Sequence, residues 1–293
     1  MRTCSCDFRN QRFHEREKTR TPARFAICLV AAALSSCSAA SAETDDKRPA
    51  AGIQDNSFLI EEAYNQEAGV VQHINNARRQ GKDRFYTFTQ EWPIGSQSHQ
   101  FSYAVPYAWL KTEAGRESGF GDLQFNYRYQ LTKETDNRPA IAPRMSIIVP
   151  SGSEDKGLSV GSYGAHFNLP VSKIVSDRVT LHGNAGFTHY FDVRGETPTS
   201  YLLGGSAIYA VDGNFNLMLE GVHDWTESVN DLARSERERS FTLSPGIRYA
   251  LNFESGTQVV MGAAAPIRFV EDKRDYGVFL YLSVEHRIMG NTK

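Results

Sequence analysis

Residues 120–131 read Phe-Gly-Asp-Leu-Gln-Phe-Asn-Tyr-Arg-Tyr-Gln-Leu, and from Asp122 onward polar and apolar side chains alternate without a break. Successive side chains of a strand point to opposite faces, so this segment builds a dry face from Leu123, Phe125, Tyr127, Tyr129 and Leu131. The other face carries Asp122, Gln124, Asn126, Arg128 and Gln130, a set that includes an acid and a base. Soluble sheets and membrane barrels both alternate in this way, with the two faces assigned to opposite solvents. Which solvent each face meets has to be decided elsewhere in the chain.

The first residues speak to compartment. Residues 1–24 hold seven Lys or Arg (Arg2, Arg9, Arg12, Arg16, Lys18, Arg20, Arg24) against Asp7, Glu15 and Glu17, and Phe25 to Leu34 follows without a charge. A basic stretch, a short apolar stretch and small residues ending Ala40-Ser41-Ala42 make an export signal over residues 1–42, with cleavage expected after Ala42. The apolar stretch is about half the ~20 residues that a membrane-spanning helix needs. Leu34-Ser35-Ser36-Cys37 also has the form of a lipoprotein processing box, an alternative in which Cys37 is lipidated. A lipid anchor would add little to a chain already held in a membrane. Cys4, Cys6, Cys28 and Cys37 are the only cysteines, so the exported chain has no disulfide, thiol nucleophile or cysteine-ligated metal. It keeps 25 Lys and Arg against 31 Asp and Glu, a net charge of −6, with no basic surplus for a nucleic acid.

No second long apolar run follows, and what recurs instead is an alternating run ended by a Gly, Pro, Asn, Asp or Ser turn. Runs lie near 69–79, 83–94, 98–112, 120–133, 139–151, 163–176, 178–193, 199–211, 214–229, 237–252, 257–270 and 275–288. Twelve is an even number, and runs of ten or more residues exceed ordinary globular strands but match tilted membrane-crossing ones. Outer-membrane barrels alternate short periplasmic turns with longer external loops. The connections after the even runs are short: Gly95-Ser-Gln, Glu134 to Arg138, Ser176-Asp177, Asp212-Gly213 and Glu254-Ser-Gly256. Most of the others, such as Lys111 to Gly119, Gly152 to Ser162 and Ser228 to Glu236, are longer and more charged. Tyr86, Phe88, Trp92, Trp109, Tyr129, Tyr209, Tyr249 and Tyr281 lie toward run ends, where an interfacial girdle would need them. The fold expected is an all-β, antiparallel, up-and-down transmembrane barrel of about twelve strands. It would occupy residues 69–288, after a periplasmic lead-in at 43–68 and before a tail at 289–293.

At Ser57 to Ile74, Tyr86 to Pro93, Gly121 to Gln130, Leu243 to Arg248 and Gly277 to His286, the chain resembles a group of proteobacterial outer-membrane proteins. These are the barrels of the MetA-pathway of phenol degradation and related transporter-like families, and the resemblance covers most of residues 57–288. It implies a barrel in a Gram-negative outer membrane that moves small, aromatic or otherwise apolar, molecules. The last run also resembles the signal read by outer-membrane assembly machinery, through Asp275, Gly277, Leu280 and Leu282, although the chain continues through Arg287 to Lys293 where such proteins commonly end on an aromatic residue.

Several residue patterns bear on function. Gly157-Leu-Ser159-Val-Gly161 matches the serine hydrolase elbow, but alternation resumes at Tyr163 where the elbow requires a helix. The His residues show no metal-binding spacing, so no cofactor or metal is expected and catalysis is not. By parity, Asp122, Gln124, Arg128, Arg144, Glu220, Arg248, Arg268, Glu285 and Arg287 face the lumen, because Lys or Arg on the lipid face costs about 2–4 kcal/mol at the midplane. These charges either pair across a crowded interior or line a narrow aqueous path. Residues 57–68 read as a short helix with Ser57 as N-cap, and folding of this segment into the lumen would make Phe58, Leu59 and Tyr64 a gate. The expected activity is passive passage of small solutes. The partners implied are outer-membrane lipid and lipopolysaccharide, the assembly machinery and a small-molecule solute. Alternatives are a plugged structural barrel acting through loops 152–162 and 228–238, and an outer-membrane hydrolase built on Ser159.

Overall fold

The computed structural model describes residue 53 and residues 57–112, 115–230 and 232–288. The export signal, its Ala42 cleavage site, the Cys37 box and the tail 289–293 lie outside the described residues.

Fifteen strand segments follow one another: β1 Val70–Gln80, β2 Asp83–Ile94, β3 Ser96–Thr112, β4 Gly115–Phe120, β5 Leu123–Tyr129, β6 Ala140–Ile141, β7 Arg144–Val149 and β8 Gly164–Ser176. Then come β9 Val179–Tyr190, β10 Thr199–Ala210, β11 Phe215–Val229, β12 Ser235–Asn252, β13 Gln258–Ala264, β14 Ile267–Val270 and β15 Lys273–Arg287. Three passes are interrupted, at Gly121-Asp122 between β4 and β5, Ala142-Pro143 between β6 and β7, and Ala265-Pro266 between β13 and β14. The segments therefore make twelve passes, each antiparallel to its neighbours. β1 pairs with β2 on one side and with β15 on the other, from Val70 opposite Arg287 to Gln80 opposite Gly277, which closes the sheet into a barrel. In hydrocarbon no water can pair an open edge, so closure is what makes a spanning sheet tenable.

The interruptions follow from the residues at them. Pro143 and Pro266 have no amide hydrogen for a ladder, yet their carbonyls still accept from Tyr129 at 3.0 Å and Gly277 at 2.8 Å. At Gly121-Asp122 the ladder slips: Phe120 and Phe125, an odd number of positions apart, both face outward. The following loop straps this break, with Gly152 N donating to Asp122 Oδ1 at 3.1 Å and Leu123 N donating to Ser151 Oγ at 2.9 Å.

The polarity of the barrel is the reverse of a soluble sheet. In β7, Met145 and Ile147 are 66% and 60% exposed, while Ser146 between them is 4% exposed. In β12, Phe241, Ile247, Tyr249 and Leu251 face out while Ser240, Ser244, Arg248 and Ala250 are buried. An apolar exterior around a polar interior is the arrangement that a lipid solvent selects.

Both ends of the barrel strand order, Val70 and Arg287, lie at the rim that carries the turns at Gly95, 177–178, 211–214 and 253–257. Barrels of this kind place that rim in the periplasm. The longer connections 150–163 and 191–198 lie at the opposite rim, which also holds two tight turns, at Gly81-Lys82 and Glu271-Asp272. The connection expected over Glu271 to Arg274 is therefore shorter than the sequence suggested. Tyr281 is a second correction: it is 5% exposed and points inward with Phe279, so it belongs to no outer girdle.

Ile147 lies opposite Phe125 and Ala165 in the outward belt. Ile147→Arg should lower barrel stability by about 2–4 kcal/mol, measured by denaturant titration of protein folded in liposomes. The exposed loop substitution Lys156→Arg should leave stability unchanged.

Candidate functional site

The lumen holds a segment of the chain. Ser57, Phe58, Ile60, Glu62, Ala63, Tyr64, Asn65 and Gln66 are all buried, and none of residues 57–69 is helical, so the expected short helix with a Ser57 cap does not form. The reason lies in the wall. A helix would satisfy its own amides, whereas here inward side chains of the barrel take over that task.

Glu220 Oε1 on β11 accepts from the amides of Leu59 at 2.7 Å and Ile60 at 3.1 Å. Asn184 on β9 pairs with Glu61 in both directions, each at 2.8 Å. Ser172 Oγ on β8 accepts from the Ala63 amide and meets His182 Nδ1, both at 2.7 Å. Gln130 accepts from Asn65 N at 3.1 Å and donates to Ala63 O at 2.7 Å, while Gln100 on β3 accepts from Gln66 N at 2.8 Å. Arg128 on β5 binds three places at once: Glu62 O at 3.1 Å, Tyr64 O at 2.7 Å and Asn65 Oδ1 at 2.8 Å. Arg144 on β7 forms an ion pair with Glu61 at 2.6 Å, Tyr64 donates to Glu134, and Gln66 donates to Gln72 on β1. The segment thus follows the inner wall from β11 through β9, β8 and β5 to β3 before turning into β1.

Its other end is apolar. Phe58 stacks near Phe279 and Tyr281, with ring centroids 5.3 Å from each. Ile53, Ile74, Ile208, Met218, Ala250, Val260 and Ala264 complete this cluster. Gly246 and Gly262 form the slot for the Phe58 ring, which a Cβ at Gly262 would overlap, and Gly204 makes room for Ile60 in the same way. The lumen therefore has an apolar patch, to which β1, β10, β11, β12, β13 and β15 each contribute a residue or more, and polar anchors that come mainly from β3, β5, β7, β8, β9 and β11. A polar cavity of about 40 Å³ beside the segment is lined by Glu61, Glu91, Gln100, Ser102, Arg128 and Arg144.

The residues picked out by parity fall into three groups. Arg128, Arg144 and Glu220 hold the segment, and Arg248, 1% exposed, is the nearby cation that acts on the Glu220 carboxylate. Gln124 faces inward opposite Ala104 and Ile148, and Glu285 is buried opposite Gln72 near the periplasmic rim. The third group sits at rims or breaks: Asp122 anchors the 150–163 loop, Arg268 pairs with Glu238, and Arg287 lies 3.8 Å from Glu67. Of the three residues expected to form a gate, Phe58 and Tyr64 are buried in the lumen and Leu59 packs against the apolar cluster. Ser159 sits in a loop of turns, where its Oγ accepts from Gly161 N at 2.9 Å and no helix follows. Among the described residues, no three His, Cys, Asp or Glu come together to hold a metal ion.

Sequence reasoning missed Asn184, Ser172, Gln130 and Gln100 as binding groups, because small neutral polar residues are expected on any wetted face. It also missed the glycine slots. Gly246 and Gly262 share inward parity with the charged positions, and that was the available signal.

Forty-three solved chains resemble this fold. An outer membrane channel from Pseudomonas putida F1 superposes with a TM-score of 0.59 at 13% identity, covering 76% of this chain and 97% of that one. The KdgM porin gives 0.46 at 10% identity, covering 74% and 99% of the two chains. The CymD monoaromatic hydrocarbon channel gives 0.42 at 9% identity, covering 77% and 90%. No curated protein matches the chain in sequence. The family model described as "Putative MetA-pathway of phenol degradation" matches residues 63–269, and this outer-membrane β-barrel belongs to that family.

Proposed function

We propose that the protein is a passive outer-membrane channel for small molecules and that residues 57–68 are its gate. The observation that carries this reading is the manner in which the lumen is occupied. Eight-strand barrels fill with wall side chains, and twelve strands enclose more room than that. Here the room is taken by a separate, non-helical segment held by side-chain hydrogen bonds. Each neutral bond contributes about 0.5–1.5 kcal/mol net and each bond to Glu220 or Arg128 about 1.5–3 kcal/mol, because water can replace it only in part. With the segment withdrawn, Arg128, Arg144, Glu220 and Arg248 would line an aqueous path and set its charge selectivity, with Gln124 and Glu285 along it and Asp122, Arg268 and Arg287 at its mouths.

The mixed lining of the lumen supports a solute class. Phe279, Tyr281, Ile74 and Met218 offer an apolar patch, and the polar anchors offer donors and acceptors. This suits small aromatic or otherwise apolar molecules that carry a polar group. Membership of a family named for phenol degradation supports the same class. The channel works by binding and release without a catalytic step or cofactor. Its exterior contacts outer-membrane lipid, including lipopolysaccharide, and Asp275, Gly277, Leu280 and Leu282 are read by the assembly machinery.

The depth at which residues 57–66 are buried favours a second reading, a permanently plugged barrel whose work is done by loops 152–162 and 228–238. Single-channel recording in planar bilayers separates the two. The intact protein should give small, reproducible openings, and deleting residues 57–68 should raise conductance severalfold. Unchanged conductance on deletion would remove the gate, and silence in both forms would leave the plugged barrel. Gly262→Val, which fills the Phe58 slot, should raise open probability without altering the conductance of the open state. Arg128→Met should speed amide hydrogen exchange at residues 61–66 while leaving exchange in β1 and β15 unchanged.

A further inference from the structure

On the outer surface of the β1–β4 wall, cations gather at the loop rim. Arg79 lies directly opposite Arg84, and Arg84 opposite Trp109. One row further out, Lys111 lies opposite Arg116, and Lys82 sits in the turn between β1 and β2. Like charges placed directly across a sheet destabilise it unless something anionic intervenes.

Among the described residues no acid forms an ion pair with these cations. Lys82, Arg84, Lys111 and Arg116 form no ion pair there, whereas Arg144, Lys173, Arg194, Arg237, Arg268 and Arg287 each do. The Asp83 carboxylate is occupied by the Lys111 amide at 2.8 Å. Arg79 donates to Gly81 O at 3.3 Å. Glu117 borders the cluster without an ion pair, and Glu113 of the same hairpin lies outside the described residues. Lys82, Arg84, Lys111 and Arg116 surround a groove of about 90 Å³ whose floor includes Trp109.

The height of this groove identifies what it meets. Tyr86, Tyr107 and Phe120 form the outward row just below, with Tyr107 centred 4.6 Å from Trp109 and 5.1 Å from Phe120. Outward aromatic rows mark the boundary between acyl chains and headgroups. Rows two residues apart are separated by about 6.6 Å along a strand, so Arg84 stands one row above the aromatic row and Lys111 and Arg116 two rows, about 13 Å along a tilted strand, within the headgroup layer of a glycolipid leaflet. At the periplasmic rim Lys173 is paired with Glu134 at 3.2 Å and Arg287 lies 3.8 Å from Glu67.

We propose that Lys82, Arg84, Lys111 and Arg116, with Trp109, form a site for the phosphate groups of a glycolipid in the outer leaflet. Arg84 and Arg116 supply planar donor forks for phosphate oxygens, Lys82 and Lys111 supply point charges, and Trp109 packs on the sugar or upper acyl chain. The proposal rests on lipid contact at the loop rim and is independent of whether the lumen conducts.

The test adds bisphosphorylated lipid A to the purified full-length barrel in non-ionic detergent and counts bound lipid by native mass spectrometry. Lys82→Gln/Arg84→Gln/Lys111→Gln/Arg116→Gln should lose about tenfold or more in lipid A retention, since each cation near an anionic headgroup contributes. Arg237→Gln/Arg239→Gln, at another part of the same rim, should retain it. Should the fourfold variant fail to fold, Lys111→Gln/Arg116→Gln carries the test with a smaller loss. Equal retention by the β1–β4 variants and the parent overturns the proposal. Displacement of lipid A by millimolar inorganic phosphate also overturns it, because the site would then recognise free phosphate. Conductance of the fourfold variant should match the parent, so a silent parent counts against the channel and leaves the lipid site standing.

Discussion

Every backbone amide and carbonyl that enters hydrocarbon must find a partner inside the protein, and the rest of this structure depends on that requirement. It forces β1 to pair with β15 along its full length, and it keeps the three interrupted passes paired through their proline carbonyls and the 151–152 strap. Once the sheet is closed, every side chain has two destinations, and alternation sorts them: Met145 and Ile147 to lipid, Ser146 to the lumen. Polar and charged groups can accumulate only inside or at the rims. Function in such a chain is therefore confined to the lumen, the loops and the headgroup belt.

Inside, the same requirement recurs in a second form. A segment without secondary structure brings unpaired amides into an enclosed space, and each unpaired group would cost about 1–3 kcal/mol. Glu220, Asn184, Ser172, Gln130, Gln100 and Arg128 answer those amides and carbonyls nearly one for one. The two readings of the luminal charges, mutual pairing across the interior or lining of a path, are thus joined by a third role that occupies Arg128 and Glu220 in this structure. They bind peptide, and the path they would line exists only when that peptide is elsewhere.

The fold was legible because a lipid solvent writes a simple pattern. Phe125, Tyr127 and Leu131 against Asn126, Arg128 and Gln130 is a period of two that loops and packing cannot disguise, and it continues around the whole barrel. Turn lengths set which rim is which. What stayed hidden were features that depend on contacts between distant residues. Tyr281 was not among them: it has the composition of a girdle residue, but its even spacing from Glu285 and Arg287 places it on the lumen face, where Phe58 packs against it. The segment 57–68 carries helix-compatible spacing, but its amides are claimed by wall residues up to 161 positions away, which no local pattern records. The basic cluster was equally invisible, because Arg79 and Arg84 become neighbours of Trp109 and Arg116 only through strand register.

The two ends of the luminal segment are held by different physics, and this orders the events of the proposed gating. Glu61 to Gln66 are held by polar contacts, the bonds of Arg128 and the Arg144–Glu61 ion pair among them, for which water can compete once it enters, starting from the polar cavity beside Arg144 and Glu61. Phe58 and Ile60 are held by apolar burial and by glycine slots, and releasing a side chain of that size into water costs about 1.5–3 kcal/mol. The chain enters β1 through the turn in which Val70 N donates to Glu67 O at 3.1 Å, so residues 67–70 would be the hinge of such a gate. Phe58 lies at the far end from that hinge, where a latch has the most leverage. An apolar solute arriving at Phe279 and Tyr281 competes for the surface that the latch occupies, whereas a purely polar solute does not. Selectivity for apolar solutes would then arise in opening the channel, before any solute passes the ring of charges.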